Sequence, residues 1–384
     1  LFRSGRLGNE NALGYYDFLA LISTYNTKYQ GYVKGNGDNA WAGSIARGLE
    51  NRSLKWETTD TKNIGLDFGF FNNKLTGAMN YYYNQTEELL ITKALPPSAG
   101  LNNPILNVGK IRNSGVEVEI NWADSKGGFD YNIGMNFSTT KNKVVELADK
   151  GQVLYGEGLK YGTEHFPTQT RVGKPIGAFY LYKTNGLFQS NEEARQYVNA
   201  DGDEYQPFAD AGDIRYVDVN GDGYIDDDDK VYCGSGIPTL EVNLNFSAGY
   251  KGFDLSVVLG SAWGHKIYNG NKYFYEGMNS GSNFLTSSLN AWTPQNTNTN
   301  IPRAIFNDPN GNLKESDRFI EKGDFVRLRQ LQLGYTLPKK IMQKVFIERL
   351  RFYVSGENLF TITGYDGIDP EFSRVSVLNT GIDK

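Results

Sequence analysis

The stretch Asn63-Ile64-Gly65-Leu66-Asp67-Phe68-Gly69-Phe70 alternates polar and apolar positions without a break. A tight turn at Asn72-Asn73-Lys74 follows, and the return run from Leu75 to Tyr83 keeps the same kind of alternation. Because successive side chains of a strand point to opposite faces, each run has one apolar and one polar face. The pair therefore predicts a β-hairpin with a short turn.

Three more hairpins repeat this pattern along the chain. Their strands cover Val116 to Trp122 and Tyr131 to Phe137, joined by a turn at 124–128, then Leu240 to Phe246 and Phe253 to Leu259, and finally Phe325 to Leu337 and Leu350 to Val354. In the last pair the alternation changes phase near Arg329, which predicts a β-bulge. The connection through Pro338 predicts a short helix from Lys339 to Val345.

Long polar segments separate the hairpins, namely Gln85 to Arg112, Thr139 to Pro238 and Trp263 to Asp324. They far exceed the usual connection of about 4 to 6 residues. If successive strands alternate in direction, all three segments lie at one rim. Short turns at one rim and long loops at the other are typical of a transmembrane β-barrel whose loops form the extracellular surface. The middle segment is expected to contain its own hairpin around Ile176 to Tyr182.

Alternation alone also fits a soluble β-sandwich, in which the apolar face is the core instead of the lipid-facing surface. The 14% aromatic content suits a barrel, while a mean hydropathy of -0.49 reflects polar loops and a polar lumen. No run approaches the roughly 18 apolar residues of a membrane helix. The net charge of -5 argues against a nucleic-acid partner, and the single Cys233 excludes an internal disulfide framework.

The two ends of the chain suggest that it is part of a larger protein. It begins at Leu1 without an initiator Met or a signal peptide, and it stops at Lys384 in a polar stretch without a final strand. Between ten and twelve strands are expected, with loops typical of a larger barrel. We therefore expect residues 1–384 to be the C-terminal part of a barrel-forming transporter.

Five ordered motifs resemble the SusC/RagA branch of TonB-dependent outer-membrane transporters. They are Leu106-Asn107-Val108-Gly109-Lys110-Ile111-Arg112-Asn113-Ser114-Gly115-Val116-Glu117; Val172-Gly173-Lys174-Pro175-Ile176-Gly177-Ala178-Phe179-Tyr180 with Asn185-Gly186-Leu187-Phe188; Gly212-Asp213-Ile214-Arg215-Tyr216 before Asp218; Phe325-Val326-Arg327-Leu328-Arg329 through Pro338; and Ser355-Gly356-Glu357-Asn358-Leu359-Phe360 through Asp369-Pro370-Glu371.

The resemblance implies an antiparallel, 22-stranded transmembrane barrel with an N-terminal plug, in the outer membrane of a Bacteroidetes-type bacterium. It implies import of oligosaccharides or oligopeptides, driven by the TonB system and assisted by a SusD-like surface lipoprotein that closes over the barrel. A dimer of such pairs is also implied. The plug, the TonB-contacting segment and the terminal strand are expected to lie outside this chain, so transport belongs to the parent protein.

A calcium-loop pattern runs from Asp218 to Asp229 within a predicted loop insertion, residues 201–237. Oxygen ligands at positions 1, 3, 5, 7, 9 and 12 would come from Asp218, Asn220, Asp222, Tyr224 through its backbone carbonyl, Asp226 and Asp229. Asp229 is shorter than the usual Glu, and no flanking helix pair is evident. Ca²⁺ is therefore the predicted cofactor, and a solvated turn rich in Asp and Asn is the alternative.

Loop aromatics are the candidate ligand-binding residues, because their rings could stack on sugars or peptide side chains. The residues chosen are Trp263, Tyr273, Tyr275 and Trp292, with Tyr155 and Tyr161 as further candidates. The alternative is that they pack the loops together or contact the lid. The cluster Tyr81 to Tyr83 and Trp122 is instead predicted to lie at the membrane interface.

No catalytic site is expected, since His165 and His265 are the only histidines and offer little material for a metal cluster or a Ser-His-Asp triad. No organic cofactor is expected either. Two functions remain open from the sequence. The first is nutrient import, and the second is a soluble, calcium-stabilised carbohydrate-binding or adhesion module, which would need no lipid around its apolar residues.

Overall fold

The computed structural model describes residues 2–9, 19, 22–25, 32–33, 40–41, 43–46, 48–92, 98, 100–102, 104–161, 163–278, 283–342, 347–372 and 376–384. Strands dominate these residues. Among the described residues, ten strands form one antiparallel sheet. Nine of them, the wall sheet, pair with one another in chain order, and the tenth, Lys141–Leu147, pairs with the strand Gly109–Lys126. The nine are β1 (Phe2–Asn9), β2 (Glu57–Phe70), β3 (Leu75–Glu87), β4 (Gly109–Lys126), β5 (Phe129–Thr139), β6 (Leu240–Tyr250), β7 (Phe253–Trp263), β8 (Phe325–Thr336) and β9 (Arg351–Thr363).

All four predicted hairpins are present, as β2–β3, β4–β5, β6–β7 and β8–β9. Two of them close with two-residue turns in which both residues have positive φ, Gly127-Gly128 and Lys251-Gly252. Such turns match the twist of paired strands. The prediction of a longer turn at 124–128 was wrong, because β4 keeps pairing with β5 as far as Lys126.

The predicted β-bulge is confirmed at Arg329. Val258 pairs with Gln330 and Leu259 with Leu328, so Arg329 is the extra residue on β8. The predicted helix after Pro338 begins at Lys339, and α3 is described over Lys339–Met342. The remainder of that prediction, residues 343–345, lies outside the described residues.

One face of the wall sheet, the apolar face, carries exposed hydrophobic side chains. Leu66 is 65% exposed and Val354 is 78% exposed. Aromatic pairs gather at the short-turn rim, for example Phe71 with Trp122 at 6.0 Å and Phe253 with Tyr335 at 4.5 Å between ring centroids. Exposed apolar residues bordered by aromatic rings are the arrangement of a lipid-facing belt.

The height of this belt fits a membrane. Residues 75 to 83 of β3 lead from the row of Trp122 to Tyr83, and at about 3.4 Å per residue they span about 27 Å along the strand, which is about 20 Å of height at the tilt of about 35–45° of barrel strands. Outer-membrane barrels have an apolar band about 25 Å tall. Among the residues that the structure describes, no helix is long and apolar enough to cross a membrane.

The opposite face of the wall sheet, the polar face, carries amides and carboxylates. Glu117, Ser138 and Glu241 are register neighbours across β4, β5 and β6. Glu119 faces Asn136 on the adjacent strand. This face would line the lumen of a closed barrel.

The long segments all lie at one rim, as predicted. Together with the connection from β1 to β2 and the residues after β9, which lie at the same rim, they contain short strands at Ile22–Tyr25, Tyr32–Val33, Ala40–Trp41, Gly43–Ala46, Leu90–Thr92, Ile105–Asn107, Lys141–Leu147, Leu154–Tyr155, Leu159–Tyr161, Thr163–His165, Thr168–Thr170, Ala178–Leu181, Thr184–Leu187, Ile214–Tyr216, Val231–Ser235, Lys266–Asn269, Ile320–Lys322 and Ile382–Asp383. They also contain α1 (Asn191–Arg195), α2 (Gly270–Tyr275) and 3₁₀ helices at Asp227–Asp229, Thr286–Asn290, Asp317–Phe319 and Val377–Asn379. The predicted inner hairpin joins Thr168–Thr170 to Ala178–Leu181.

The described parts of 88–108, 140–239, 264–324 and 364–384 form one folded unit, the loop layer. One of its cores combines Phe179, Tyr268 and Phe319 with Ile382. The strand Ile382–Asp383 pairs in parallel with Lys266–Asn269. Segments that are far apart in sequence therefore share one hydrophobic core, which gives the rim a fixed shape.

Candidate functional site

A cavity of about 390 Å³ lies where the polar face of β6, β7 and β8 meets the loop layer. Its lining includes Glu241, Asn243, His265, Phe325, Arg329 and Glu371. The wall strands supply one side and the segment after β9 supplies the other. A ligand that entered through the loop layer would meet this cavity before it reached the rest of the polar face.

The wall side of the cavity is acidic at Glu241, and an adjoining cavity of about 270 Å³ along the same face is lined by Glu117 and Glu119 as well. Glu241 shares a row with Ser138 and Glu117, and Glu119 lies one row further along β4. Within the described part of the chain, none of these three carboxylates forms an ion pair. They can therefore accept hydrogen bonds from hydroxyl, amide or ammonium groups.

The other side of the cavity is held by arginines. Arg329 Nη2 lies 2.8 Å from Glu371 Oε1, and Arg327 Nη1 lies 3.2 Å from Glu371 Oε2. Arg327 also pairs with Asp369 and donates a hydrogen bond of 2.9 Å to Thr361 Oγ1. These contacts tie the segment after β9 back onto β8.

The bulge and a glycine make this arrangement possible. A Cβ atom at Gly260 would lie 2.1 Å from Arg329 Nε, so the side chain of Arg329 occupies space that only glycine leaves free. The bulge supplies the extra residue that carries this guanidinium over β7. Both features therefore position charge at the cavity.

A buried charge network holds the loop layer above the cavity. Glu315 accepts hydrogen bonds from Lys230 Nζ at 2.6 Å and from the amide of Phe166 at 3.3 Å, and it contacts His165 Nδ1 at 2.7 Å. Burial opposes ionisation of Glu315, but the hydrogen bonds and the charge of Lys230 outweigh it and lower the pKa to about 2. Lys230 also pairs with Asp227 at 2.8 Å.

The predicted calcium loop is ordered by its own backbone. Asp218 accepts hydrogen bonds from the amides of Gly221 at 2.6 Å and Gly223 at 2.9 Å, and Asn220 Oδ1 accepts from the amide of Asp222 at 2.9 Å. Both glycines have positive φ, which this tight path requires.

Asp229 closes the same loop from inside. Its side chain is fully buried and accepts hydrogen bonds from the amides of Val219 at 2.7 Å and Asp226 at 2.9 Å. In the described ranges, no group of three or more His, Cys, Asp or Glu side chains is placed to hold a metal ion. Calcium at Asp218, Asn220, Asp222, Tyr224, Asp226 and Asp229 stays a prediction.

The predicted insertion 201–237 forms an integral part of the loop layer. Its strand Ile214–Tyr216 pairs with Thr184–Leu187, and its strand Val231–Ser235 pairs with Ala178–Leu181. Both partner strands precede residue 201, so the strands of 201–237 belong to sheets that they share with the preceding part of the chain.

Three of the four predicted ligand-binding aromatics lie where a ligand in the cavity cannot stack on them. Tyr273 is fully buried in the core of the loop layer, and Trp292 is buried with Tyr182 and Tyr216. Trp263 shares a row with Leu240 on the apolar face, so its ring faces away from the lumen. Of these four, Tyr275 keeps an accessible ring in the loop layer at 47% exposed, as does the further candidate Tyr155 at 45%.

Sequence reasoning missed the charged residues at the cavity. Arg327, Arg329, Asp369 and Glu371 all fall inside quoted motifs, but no sequence signal paired them. No local sequence pattern predicted the contacts of Glu315, because its partners Lys230 and His165 lie in a different long segment.

Comparison with known proteins places this architecture in a family. Residues 4–359 match the family model described as "TonB dependent receptor-like, beta-barrel". TonB-dependent receptor P3 of Formosa agariphila is 32% identical over 354 residues, which cover 91% of this chain and 34% of that protein. TonB-dependent receptor SusC of Bacteroides thetaiotaomicron is 26% identical over 377 residues, covering 96% of this chain and 34% of that protein.

Solved structures show the same fold. The structure of the RagAB peptide transporter superimposes with a TM-score of 0.76 at 23% identity, covering 100% of this chain and 38% of that chain. The RagAB peptide importer in the open-open state gives a TM-score of 0.73 at 22% identity, with the same coverage. This chain thus spans about a third of the length of the relatives that it matches. It belongs to the TonB-dependent receptor-like β-barrel family, and the predicted all-β barrel fold and SusC/RagA resemblance are confirmed.

Proposed function

We propose that the full-length protein imports an oligopeptide or an oligosaccharide across the outer membrane by TonB-dependent transport. In this proposal residues 1–384 are the C-terminal part of the barrel wall, and a plug and the terminal strand are supplied by the rest of the protein. The observation that carries it is the cavity beneath the loop layer, which is polar inside while the opposite face of the same strands is apolar.

The chemistry of the cavity suits a polar oligomer. Glu241 in the cavity and Glu117 and Glu119 in the adjoining one form no ion pair with any described residue and can accept hydrogen bonds, while Arg329 offers guanidinium donors. Both hydroxyl-rich glycans and peptides with amide and ammonium groups match this set. The RagAB neighbours are described as peptide importers, which supports the peptide class.

A SusD-like surface lipoprotein is the proposed partner, lying over the loop layer. Several large apolar side chains stand exposed there, among them Phe208, Leu289 and Phe306. Large apolar side chains that are exposed on a folded surface are available for burial against a partner protein. A dimer of transporter and lipoprotein pairs is proposed with it.

The alternative of a soluble, calcium-stabilised module fits poorly. Its apolar strand residues would have to be buried between two sheets, yet Leu66, Val354 and Ile362 are exposed on the wall sheet. The relatives of this chain are named TonB-dependent receptors, which favours the transporter over the soluble module.

Uptake by the native bacterium tests the proposal. We expect deletion of the gene to abolish growth on one defined class of oligomer, either peptides or glycans, and the full-length gene to restore it. Glu241→Lys should lower uptake of the labelled oligomer, because it reverses a charge at the cavity. The control Glu157→Lys reverses an exposed charge in the loop layer, where Glu157 pairs only with Lys384 among the described residues. Normal growth of the deletion strain on every peptide and glycan tested would contradict import.

A further inference from the structure

The apolar face of the wall sheet ends, at the long-loop rim, in a row of residues that borders the membrane. Tyr81, Val116, Thr139, Leu240 and Trp263 follow one another across β3 to β7. Tyrosine and tryptophan rings at such a position mark the boundary between hydrocarbon and headgroups. Side chains one row further out therefore lie at the level of the lipid headgroups.

Lysines occupy that next level. Lys141 faces Ser114 across the sheet, and Lys143 faces Arg112 two residues further along. Ser114 in turn faces Tyr83, so these residues stand on the same face as the belt. Residues two apart on a strand lie about 7 Å from each other on one face, so the ammonium groups of the two lysines repel each other.

A cavity of about 640 Å³ opens between these strands and the loop layer on this side of the sheet. Lys141, Lys143 and Lys266 line it, together with the hydroxyl-bearing Ser114 and Thr140 and the ring of Tyr232. Lys174 Nζ lies 4.4 Å from the centre of the Tyr232 ring and brings a fourth positive charge to its edge. Ammonium and hydroxyl groups that converge on one space are donors for an anion.

Among the residues that the structure describes, no carboxylate neutralises the four lysines. None of Lys141, Lys143, Lys174 and Lys266 forms an ion pair with any residue that the structure describes. A basic residue close by does have a partner, since Lys110 Nζ lies 3.3 Å from Glu146 Oε2 on the same short strand as Lys141 and Lys143. The chain as a whole has a net charge of -5, so a cluster of four lysines is a local exception. An external anion would reduce the repulsion between their ammonium groups.

The height of the cavity identifies the anion. In barrels of this class the long-loop rim is extracellular, so the headgroups beside Lys141 and Lys143 belong to the outer leaflet. Basic pockets at headgroup level bind anionic lipid headgroups. A phosphate group has several strong acceptor oxygens, which matches a set of ammonium and hydroxyl donors better than a single carboxylate does.

We propose that Lys141, Lys143, Lys174 and Lys266 form a binding site for the phosphate headgroup of an outer-leaflet glycolipid on the outer surface of the barrel. The acyl chains of this lipid lie against the apolar face below Tyr81, and its phosphate enters the cavity. The site would anchor the loop-layer side of the barrel to the membrane. It depends on the placement of the barrel in the outer membrane and is independent of which oligomer is imported.

Native mass spectrometry of the full-length protein in detergent tests this site, with purified phosphorylated lipid A as the probe. The combined variant Lys141→Gln, Lys143→Gln and Lys266→Gln should bind this lipid at least about tenfold more weakly, since each basic residue near a charged headgroup contributes to binding. The matched control Lys126→Gln, Lys251→Gln and Lys340→Gln removes the same charge at the short-turn rim and should bind as the unmodified protein does. Phosphatase-treated lipid A should bind at least about tenfold more weakly than the phosphorylated lipid.

Four results would overturn the proposal. Equal binding by the lysine variant, or equal binding of the dephosphorylated lipid, would show that acyl chains alone hold the lipid. Inorganic phosphate that binds as tightly as the lipid would show a site for free phosphate. If the lysine variant fails to show the heat-dependent gel shift of a folded barrel, lipid binding is measured on the unmodified protein at increasing salt concentration. The binding must weaken as the salt concentration rises, and binding that does not depend on salt overturns the site.

Discussion

Lys230 Nζ lies 2.6 Å from Glu315 Oε1, and both side chains are only 4% exposed. The two residues belong to different long segments, one between β5 and β6 and the other between β7 and β8. His165 brings a further part of the first segment to the same carboxylate. This buried carboxylate therefore joins segments that sequence alone presented as separate loops.

Glu315→Gln should destabilise the loop layer by about 3 kcal/mol, because among the described residues it leaves the buried charge of Lys230 with Asp227 as its remaining ion-pair partner. Hydrogen exchange of the amides in Thr168–Thr170 and Val231–Ser235 measures this loss in the full-length protein. The control Glu157→Gln removes an exposed pair with Lys384 and should change protection by less than about 1 kcal/mol. Unchanged protection in Glu315→Gln would show that the network does not hold the layer.

The same carboxylate predicts an acid dependence. The folded pKa of Glu315 is lowered from its ordinary 4.5 to about 2, so its contribution to stability is present above about 4.5 and is lost as the pH falls toward 2. The difference in loop-layer protection between the unmodified protein and Glu315→Gln should shrink over this interval. A difference that stays constant from neutral pH to pH 2 would assign the stability to other groups.

Two neighbouring residues of β7 should differ in how much a positive charge costs in folding free energy. Val257 lies on the apolar face opposite Phe246 and Leu331, whereas Ser256 faces Ser247 and Gln332. Val257→Lys should cost about 2 to 4 kcal/mol of folding free energy in lipid, and Ser256→Lys should cost much less. Folding into vesicles of each variant of the full-length protein, followed by the gel shift, measures this. Equal losses would contradict the assignment of the lipid-facing side.

Alanine substitutions at two turn glycines distinguish the free-energy cost of backbone strain from the cost of a steric clash. Gly128 and Gly252 both have positive φ, but a Cβ at Gly252 would lie 2.6 Å from the carbonyl oxygen of Thr336, while a Cβ at Gly128 would contact nothing within 4 Å. Gly128→Ala should cost about 1 to 2 kcal/mol from backbone strain alone, and Gly252→Ala should cost more. Thermal unfolding in detergent compares the stability of the two variants. A larger loss for Gly128→Ala than for Gly252→Ala would show that the backbone of β8 shifts at Thr336 and relieves the clash.

Calcium binding by the 218–229 loop makes its own prediction. If the loop binds calcium, the ion at a hundred times its dissociation constant should stabilise the loop by about 2.7 kcal/mol. Asp222→Asn should reduce this effect, whereas Asp201→Asn, an exposed residue outside the loop, should not. Hydrogen exchange with calcium and with a chelator provides the measurement. Identical protection in both would favour a turn held by Asp218 and Asp229 alone.

Local patterns in the sequence determined most of the wall sheet. The alternation from Asn63 to Phe70, the turn residues Lys251-Gly252 and the phase change at Arg329 each depend on neighbours along the chain, because strand period and turn conformation are local properties. The same patterns predicted which rim carries the long segments.

Only the tertiary structure decided which residues meet across those segments. The burial of Tyr273 and Trp292, the outward position of Trp263 and the pairing of Lys230 with Glu315 depend on contacts between distant parts of the chain. An aromatic or charged residue in a loop has the same local signal whether it packs in a core, faces lipid or binds a ligand. Its role is set by long-range packing, which leaves no periodic trace in the sequence.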